Sequence, residues 1–177
     1  MQLSKNTLWY VLPLGIFGIL KLVYIKMQTS HLNFLLRPIK CLVEVITGEN
    51  AIYSTENGYY FEVLKVVIDK SCSGFNFLLI CFLLLGLSRI DHFQKPFYKL
   101  GYVFASLLVS YLVTIITNAF RILTCIGFQT EISNHFIFKE TVIHEAIGVT
   151  TNFAMLITIY FCIEKITLKI LQNEEYT

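Results

Sequence analysis

Three polar residues, Cys72, Arg121 and His144, have side chains that together can carry out thiol acyl transfer. A cysteine thiolate attacks a carbonyl carbon. A fixed arginine stabilises the oxyanion that forms, and a histidine returns a proton to the leaving amine. The residue types therefore predict a cysteine nucleophile with two assisting groups, provided that the fold brings them together.

Cys72 lies in the segment 69–74, DKSCSG, where a polar loop passes into an apolar run. We predict a helix that begins at Cys72, with Ser71 or Ser73 as its cap. The positive end of a helix dipole favours a thiolate at such a position, and Gly74 lets a backbone or a substrate approach closely. The alternative is an ordinary loop cysteine.

Arg121 follows the uncharged run 101–120, and Asn118 lies one helical turn before it. Both side chains therefore project from one face of a predicted helix. The alternative interpretation of Arg121 is an arginine that snorkels to the membrane surface and anchors the end of the helix.

His144 stands at the head of the last apolar run, next to Glu145. The His-Glu dipeptide matches the first half of the zinc-protease motif H-E-x-x-H. In this chain the second histidine of that motif would stand at position 148. That position holds Gly148, so we expect no metal site. The alternative interpretation of His144 is a polar residue at the membrane interface.

The composition of the chain predicts that these residues are carried by membrane-spanning helices. Hydrophobic residues make up 55% of the 177-residue chain and charged residues only 15%, whereas soluble domains are about one quarter charged. Four segments are about long enough to span a membrane: 8–25, 72–88, 101–120 and 146–163. Together they contain a single charged residue, Lys21. We therefore predict an all-α polytopic membrane protein with a single domain over residues 1–177. This class excludes a soluble enzyme, a nucleic-acid binder and a disordered chain.

Two further elements are predicted between the first two spans. Three charged residues make a span over 31–47 unfavourable, so we expect an amphipathic helix at the membrane interface that ends at Gly48, with a re-entrant segment as the alternative. Residues 51–54 and 59–68 are rich in Tyr, Phe, Val and Ile and flank a turn signal at 56–58. They predict a small β-hairpin outside the hydrocarbon, with an irregular loop as the alternative.

Loop charges predict the orientation of the spans. The connection 88–100 carries a net charge of +2, from three basic residues and one acidic residue, so the positive-inside rule places it in the cytoplasm. The loops 26–71 and 122–143 then face outward. With this topology the cysteine, the arginine and the histidine all fall at the outer face of the membrane.

These features resemble the exosortase/archaeosortase family of multi-pass membrane cysteine transpeptidases. The C-S-G of Cys72–Gly74 opens a span, the N-x-x-R of Asn118–Arg121 closes the next span, and a histidine heads the last span. The resemblance runs from about residue 35 to residue 163. The chain is shorter than typical exosortases and looks most like the short type called exosortase K.

The resemblance implies an enzyme that sorts proteins by their C-termini, in the bacterial cytoplasmic membrane with its active site facing outward. Its partners would be membrane lipid and exported proteins whose tail has a short motif, a membrane span and a basic cluster. Neither a cofactor nor nucleic acid is implied. Cys72 would be the nucleophile, Arg121 the oxyanion-stabilising cation and His144 the proton donor. The supporting residues would be Ser73, Gly74 and Asn118.

Two other classes of protein remain open from the residues alone. A non-catalytic membrane subunit would use the same polar residues only to anchor helix ends, and its Cys72 would be inert. A thiol-redox membrane protein would need paired cysteines on the outer side, where Cys72, Cys125 and Cys41 are available. The chain contains five cysteines but no C-x-x-C motif, which disfavours the redox class.

Overall fold

The computed structural model describes residues 7–55, 57–132 and 140–175, with side chains over 7–55, 57–128 and 145–165. The described residues are mostly helical. The α-helices are α1 (Thr7–Lys26), α2 (Asn33–Thr47), α3 (Phe75–Ser88), α4 (Pro96–Ile132) and α5 (Glu140–Glu175). Between α2 and α3 lies an antiparallel sheet of three strands in the order β1 (Ile52–Ser54), β2 (Gly58–Phe61) and β3 (Val66–Ile68).

Four helical stretches are long and apolar enough to cross a membrane, as predicted. They are Thr7–Lys26, Phe75–His92, Pro96–Phe128 and Glu145–Lys165. The second stretch combines α3 with a short 3-10 turn at Ile90–His92. These four helices suggest a membrane protein.

Two predicted helix boundaries are wrong at the candidate site. α3 begins at Phe75, with Gly74 as its N-cap, so Cys72 lies in the preceding turn and not in the helix. α4 does not end at Arg121 but continues to Ile132, about 16 Å further along its axis. The absence of charge marks the apolar part of a helix, whereas helical hydrogen bonds continue through polar residues.

α2 is amphipathic, as predicted, and ends at Gly48, whose φ of 75° is left-handed. Its buried face packs over the sheet and against α4, and the residues on this face are Leu35, Leu36, Ile39 and Val43. This packing forms the main apolar core. The core therefore lies immediately beside the turn that carries Cys72, which is itself part of the cluster.

Pro38 interrupts the hydrogen bonding inside α2. Proline has no N–H group, so the carbonyl of Phe34, four residues earlier, loses its helical partner. The Tyr111 hydroxyl of α4 donates a hydrogen bond to that carbonyl at 2.7 Å. This contact ties α2 to the helix that carries Arg121.

The predicted β-hairpin is a three-stranded meander. β1 pairs with β2 across the predicted turn, in which Gly58 has a φ of 84°, while Glu56 lies outside the described residues. The segment 59–68, predicted as one strand, folds back on itself so that β2 pairs with β3.

A distant carboxylate stabilises the second turn of the sheet. Glu49 accepts hydrogen bonds from the N–H groups of Val63 at 2.7 Å and Leu64 at 3.2 Å, and Lys65 has a φ of 52°. The segment contains no Gly, Pro, Asn or Asp to indicate a turn. The turn therefore depends on a side chain from outside the sheet.

Candidate functional site

Cys72 is held in a tight turn that Asp69 organises. The Asp69 Oδ1 atom accepts hydrogen bonds from the N–H and the hydroxyl of Ser71, at 2.8 and 2.6 Å, and from the N–H of Cys72 at 3.2 Å. Aspartate commonly stabilises turns by bonding the backbone two residues further on. The turn brings the Ser71 Oγ atom to 3.8 Å from the Cys72 sulfur and leaves Cys72 only 4% exposed.

Gly74 joins this turn to α3 and leaves space for Asn118. Its φ is 68°, and a Cβ atom at this position would clash with the Asn118 amide nitrogen and lie 2.8 Å from its Cγ. The Asn118 Nδ2 group donates a hydrogen bond of 2.6 Å to the carbonyl of Cys72. We expected Gly74 to admit a backbone or a substrate, but a side chain occupies the space.

Ser73 lies next to the start of α3, but the N-cap is Gly74, so the prediction that Ser71 or Ser73 occupies the cap position is wrong. Ser73 is buried, and its Oγ atom accepts a hydrogen bond of 3.4 Å from the N–H of Phe75. Thr114 completes the wall on the α4 side, since its Cγ2 atom lies 3.1 Å from the Cβ position of Gly74. Asp69 and Thr114 are site residues that the sequence analysis missed.

Arg121 reaches the sulfur from α4. Its Nη2 group lies 3.6 Å from the Cys72 Sγ atom and donates a hydrogen bond to it, and Arg121 is only 8% exposed. On its other side, the guanidinium lies against Gly148 of α5, whose Cβ position is 3.4–3.5 Å from three Arg121 side-chain atoms. A buried arginine beside a thiol can stabilise an anion there, either a thiolate or an oxyanion.

His144 belongs to α5, but its side chain lies outside the described residues. Its backbone position precedes Gly148 by one helical turn. Residues four apart share a helix face, so His144 stands on the face of α5 that meets Arg121. The structure thus brings Cys72, Asn118 and Arg121 into direct contact and places the position of His144 on an adjoining face.

No family model, curated protein or solved structure matches the chain.

Proposed function

We propose that this chain is a membrane-embedded cysteine peptidase and transpeptidase of the exosortase type. It cuts the C-terminal sorting signals of exported proteins at the outer face of the bacterial cytoplasmic membrane and transfers them to a surface acceptor. The observation that carries the proposal is the 3.6 Å contact between Arg121 Nη2 and Cys72 Sγ. The C-S-G and N-x-x-R motifs, far apart in sequence, meet in one buried contact.

The proposed reaction begins when the Cys72 thiolate attacks the carbonyl carbon of the scissile peptide bond. A C–S bond forms, and the carbonyl oxygen becomes an oxyanion that Arg121 stabilises. The C–N bond then breaks, His144 gives a proton to the leaving amine, and the substrate remains on Cys72 as a thioester. The acceptor attacks the thioester, gives its proton to His144 and releases the Cys72 thiolate.

The membrane placement belongs to the same proposal. The four apolar helices span the bilayer, with the sheet outside the hydrocarbon because its edge strands expose unpaired backbone groups. The apolar residues on the outer side of α2 face the lipid interface; examples are Phe34, Val45 and Ile46, which are exposed in the isolated chain. Cys72 then lies at the junction of the outer loop and the second span.

The first prediction tests the nucleophile. Cys72→Ala should abolish processing of a co-expressed protein with a tripartite tail, because no other group in the proposed mechanism can form the thioester. Cys81→Ala is the matched control, since Cys81 is also buried but lies inside α3. Tail removal is measured by the size of the mature protein on a gel.

The control should retain processing, with at most a loss of protein abundance. Tail removal by Cys72→Ala at the rate of the parent protein would overturn the enzymatic proposal and favour a non-catalytic membrane subunit.

A further inference from the structure

Lys70 connects the loop before Cys72 to the end of α1. Its Nζ group donates hydrogen bonds to the carbonyls of Tyr24 at 3.2 Å and Met27 at 2.6 Å. Tyr24 lies in the last turn of α1, and Met27 directly follows the helix. The last carbonyls of a helix lack their usual helical partners, and a cation that bonds to them also interacts favourably with the negative end of the helix dipole. Lys70 therefore caps α1 from a distant part of the sequence.

The side chain of Tyr24 contacts Lys70 in return. The Tyr24 hydroxyl donates a hydrogen bond of 3.4 Å to the Lys70 carbonyl, and the Lys70 Nζ atom lies 4.8 Å from the centroid of the tyrosine ring. The same carbonyl accepts a hydrogen bond of 3.2 Å from the N–H of Ser73. Because this second bond closes the turn around Cys72, Tyr24 contacts the group on which the turn depends.

α1 also contacts the chain on the other side of Cys72. The Tyr24 ring stacks on Phe75, the first residue of α3, with centroids 4.6 Å apart and an interplanar angle of 4°. Lys21, nearly one helical turn before Tyr24, donates a hydrogen bond of 2.6 Å to Asn76. The end of α1 therefore holds the turn both before and after its cysteine.

We propose that Lys70 and Tyr24 are positioning residues, which hold the Cys72 sulfur against Arg121 through the backbone of the turn. Asn118 of α4 holds the Cys72 carbonyl, and the contacts from α1 fix the turn on its opposite side. A displacement of about 1 Å at a reacting group can cost 10²-fold in rate, so a turn released from α1 would lose the geometry of the sulfur. The inference rests on the proposed function for its effect on catalysis and extends it to how the nucleophile is placed.

The first test measures the exposure of Cys72 and needs no substrate. The solubilised protein is alkylated with iodoacetamide at about pH 9.5, where most free thiols are ionised, and each cysteine is followed by peptide mass spectrometry. Lys70→Met should speed the alkylation of Cys72 about tenfold, because the loss of charge-assisted hydrogen bonds releases the turn. Cys81, buried inside α3, should react at the parental rate, whereas a general loss of stability would expose both cysteines.

Three further variants separate the contacts. Lys70→Arg should restore the slow alkylation of Cys72, because a guanidinium can also donate to both carbonyls. Tyr24→Leu, which loses the hydroxyl and the stacked ring, should react like Lys70→Met. Lys26→Met is the matched control, since Lys26 is an exposed lysine at the end of the same helix, and it should leave the alkylation of Cys72 unchanged.

The second test measures tail processing. Lys70→Met should lower kcat about tenfold and leave KM unchanged, because the variant displaces the nucleophile and not the bound tail. Lys70→Arg should recover kcat.

The positioning role is overturned if Lys70→Met and Tyr24→Leu leave the alkylation of Cys72 unchanged, if they speed Cys72 and Cys81 together, or if Lys70→Met keeps the parental kcat. If Lys70→Met does not accumulate, Tyr24→Leu decides in the same way. The outcome is separable from that of the proposed function. Faster alkylation of Cys72 alone supports the positioning role even if the parent protein processes no tail, in which case only the proposed chemistry fails.

Discussion

Arg121 reaches the Cys72 sulfur from the interior of a long helix, with the backbone of α5 directly behind its guanidinium. The Cys72 sulfur and Gly148 therefore limit the space around the planar group. A lysine ammonium is compact and cannot present the same rigid set of donors. Under the proposed mechanism, this geometry favours a stabilising cation at a fixed place over an arginine that merely anchors the end of a helix.

The second prediction follows from this geometry. Arg121→Lys should lower the rate of tail processing by about 10²–10³, the usual effect of losing one oxyanion donor, and Arg121→Ala should lower it further. Both proteins should still accumulate in the membrane. Processing rate and membrane abundance are measured together, with Arg37→Lys on the exposed side of α2 as the control.

If the Arg121→Lys protein processes tails at the parental rate, Arg121 only anchors the helix, because either cation can snorkel to the membrane surface.

The third prediction concerns Gly74. Gly74→Ala combines an unfavourable left-handed conformation with a clash against Asn118, so it should displace the amide that holds the Cys72 carbonyl. We expect strongly reduced processing and a loss of stability of about 1–3 kcal/mol. Thermal unfolding and tail processing measure the two effects.

Gly101→Ala provides the comparison, because Gly101 lies in α4 with no atom within 4 Å of its Cβ position. It should be neutral or slightly stabilising, by about 0.5–1 kcal/mol. Equal effects of the two substitutions would mean that the space at Gly74 has no special role.

A charged side chain connects the helix α2 to the sheet. Glu44 of α2 pairs with Lys40 at 2.7 Å and accepts a hydrogen bond of 2.9 Å from the N–H of Ala51, just before β1. The hydrogen bond from Lys40 holds the pKa of Glu44 below its ordinary value. This carboxylate therefore joins the C-terminal turn of α2 to the start of the sheet.

The fourth prediction is a pH dependence. Because the folded pKa of Glu44 is lowered, its contribution to stability is complete above the ordinary glutamate pKa of about 4.3 and is lost as the pH falls through the folded value. Glu44→Gln should lower the thermal midpoint by about 2–4 °C at neutral pH and by less below about pH 4, since the pair is near the surface. Thermal unfolding of the detergent-solubilised protein measures the change.

The control for Glu44 is Glu62→Gln, at an exposed position in the second turn of the sheet. It should leave both the midpoint and its pH dependence unchanged. A Glu44→Gln protein with the same pH profile as the parent would exclude a stabilising role for the pair.

The elements also show where the sequence pattern loses predictive power. Apolar runs located the amphipathic α2 and the four helices that are long and apolar enough to span a membrane, because burial or lipid contact along a helix requires a continuous or periodic apolar surface. The second turn of the sheet was missed, since the carboxylate of Glu49 stabilises it from another part of the chain. A local pattern cannot contain a partner of this kind.

For the whole molecule, the fifth prediction tests the proposed orientation. Asn57 in the turn between β1 and β2 and Gln94 in the connection after α3 are both exposed. The proposed orientation, based on the net charge of +2 on 88–100, puts Gln94 in the cytoplasm. In a background without the exposed Cys41 and Cys162, a membrane-impermeant thiol reagent should label Asn57→Cys in intact cells. It should label Gln94→Cys only after permeabilisation.

The reverse labelling pattern would place the sheet and the Cys72–Arg121 contact on the cytoplasmic side, where exported proteins do not present a processed tail. The proposed function would then fail even if Cys72 proved reactive.

The four apolar helices, the amphipathic character of α2 and the proximity of Cys72, Asn118 and Arg121 could all be predicted from the sequence. These features depend on composition, on periodicity and on the parity of spans, all of which a single chain displays. The folded structure was needed to show that Cys72 precedes α3 in a turn held by Asp69 and that α4 continues beyond Arg121. Each of these depends on which side chains meet across elements, because a hydrogen bond between distant residues leaves no local pattern in the sequence.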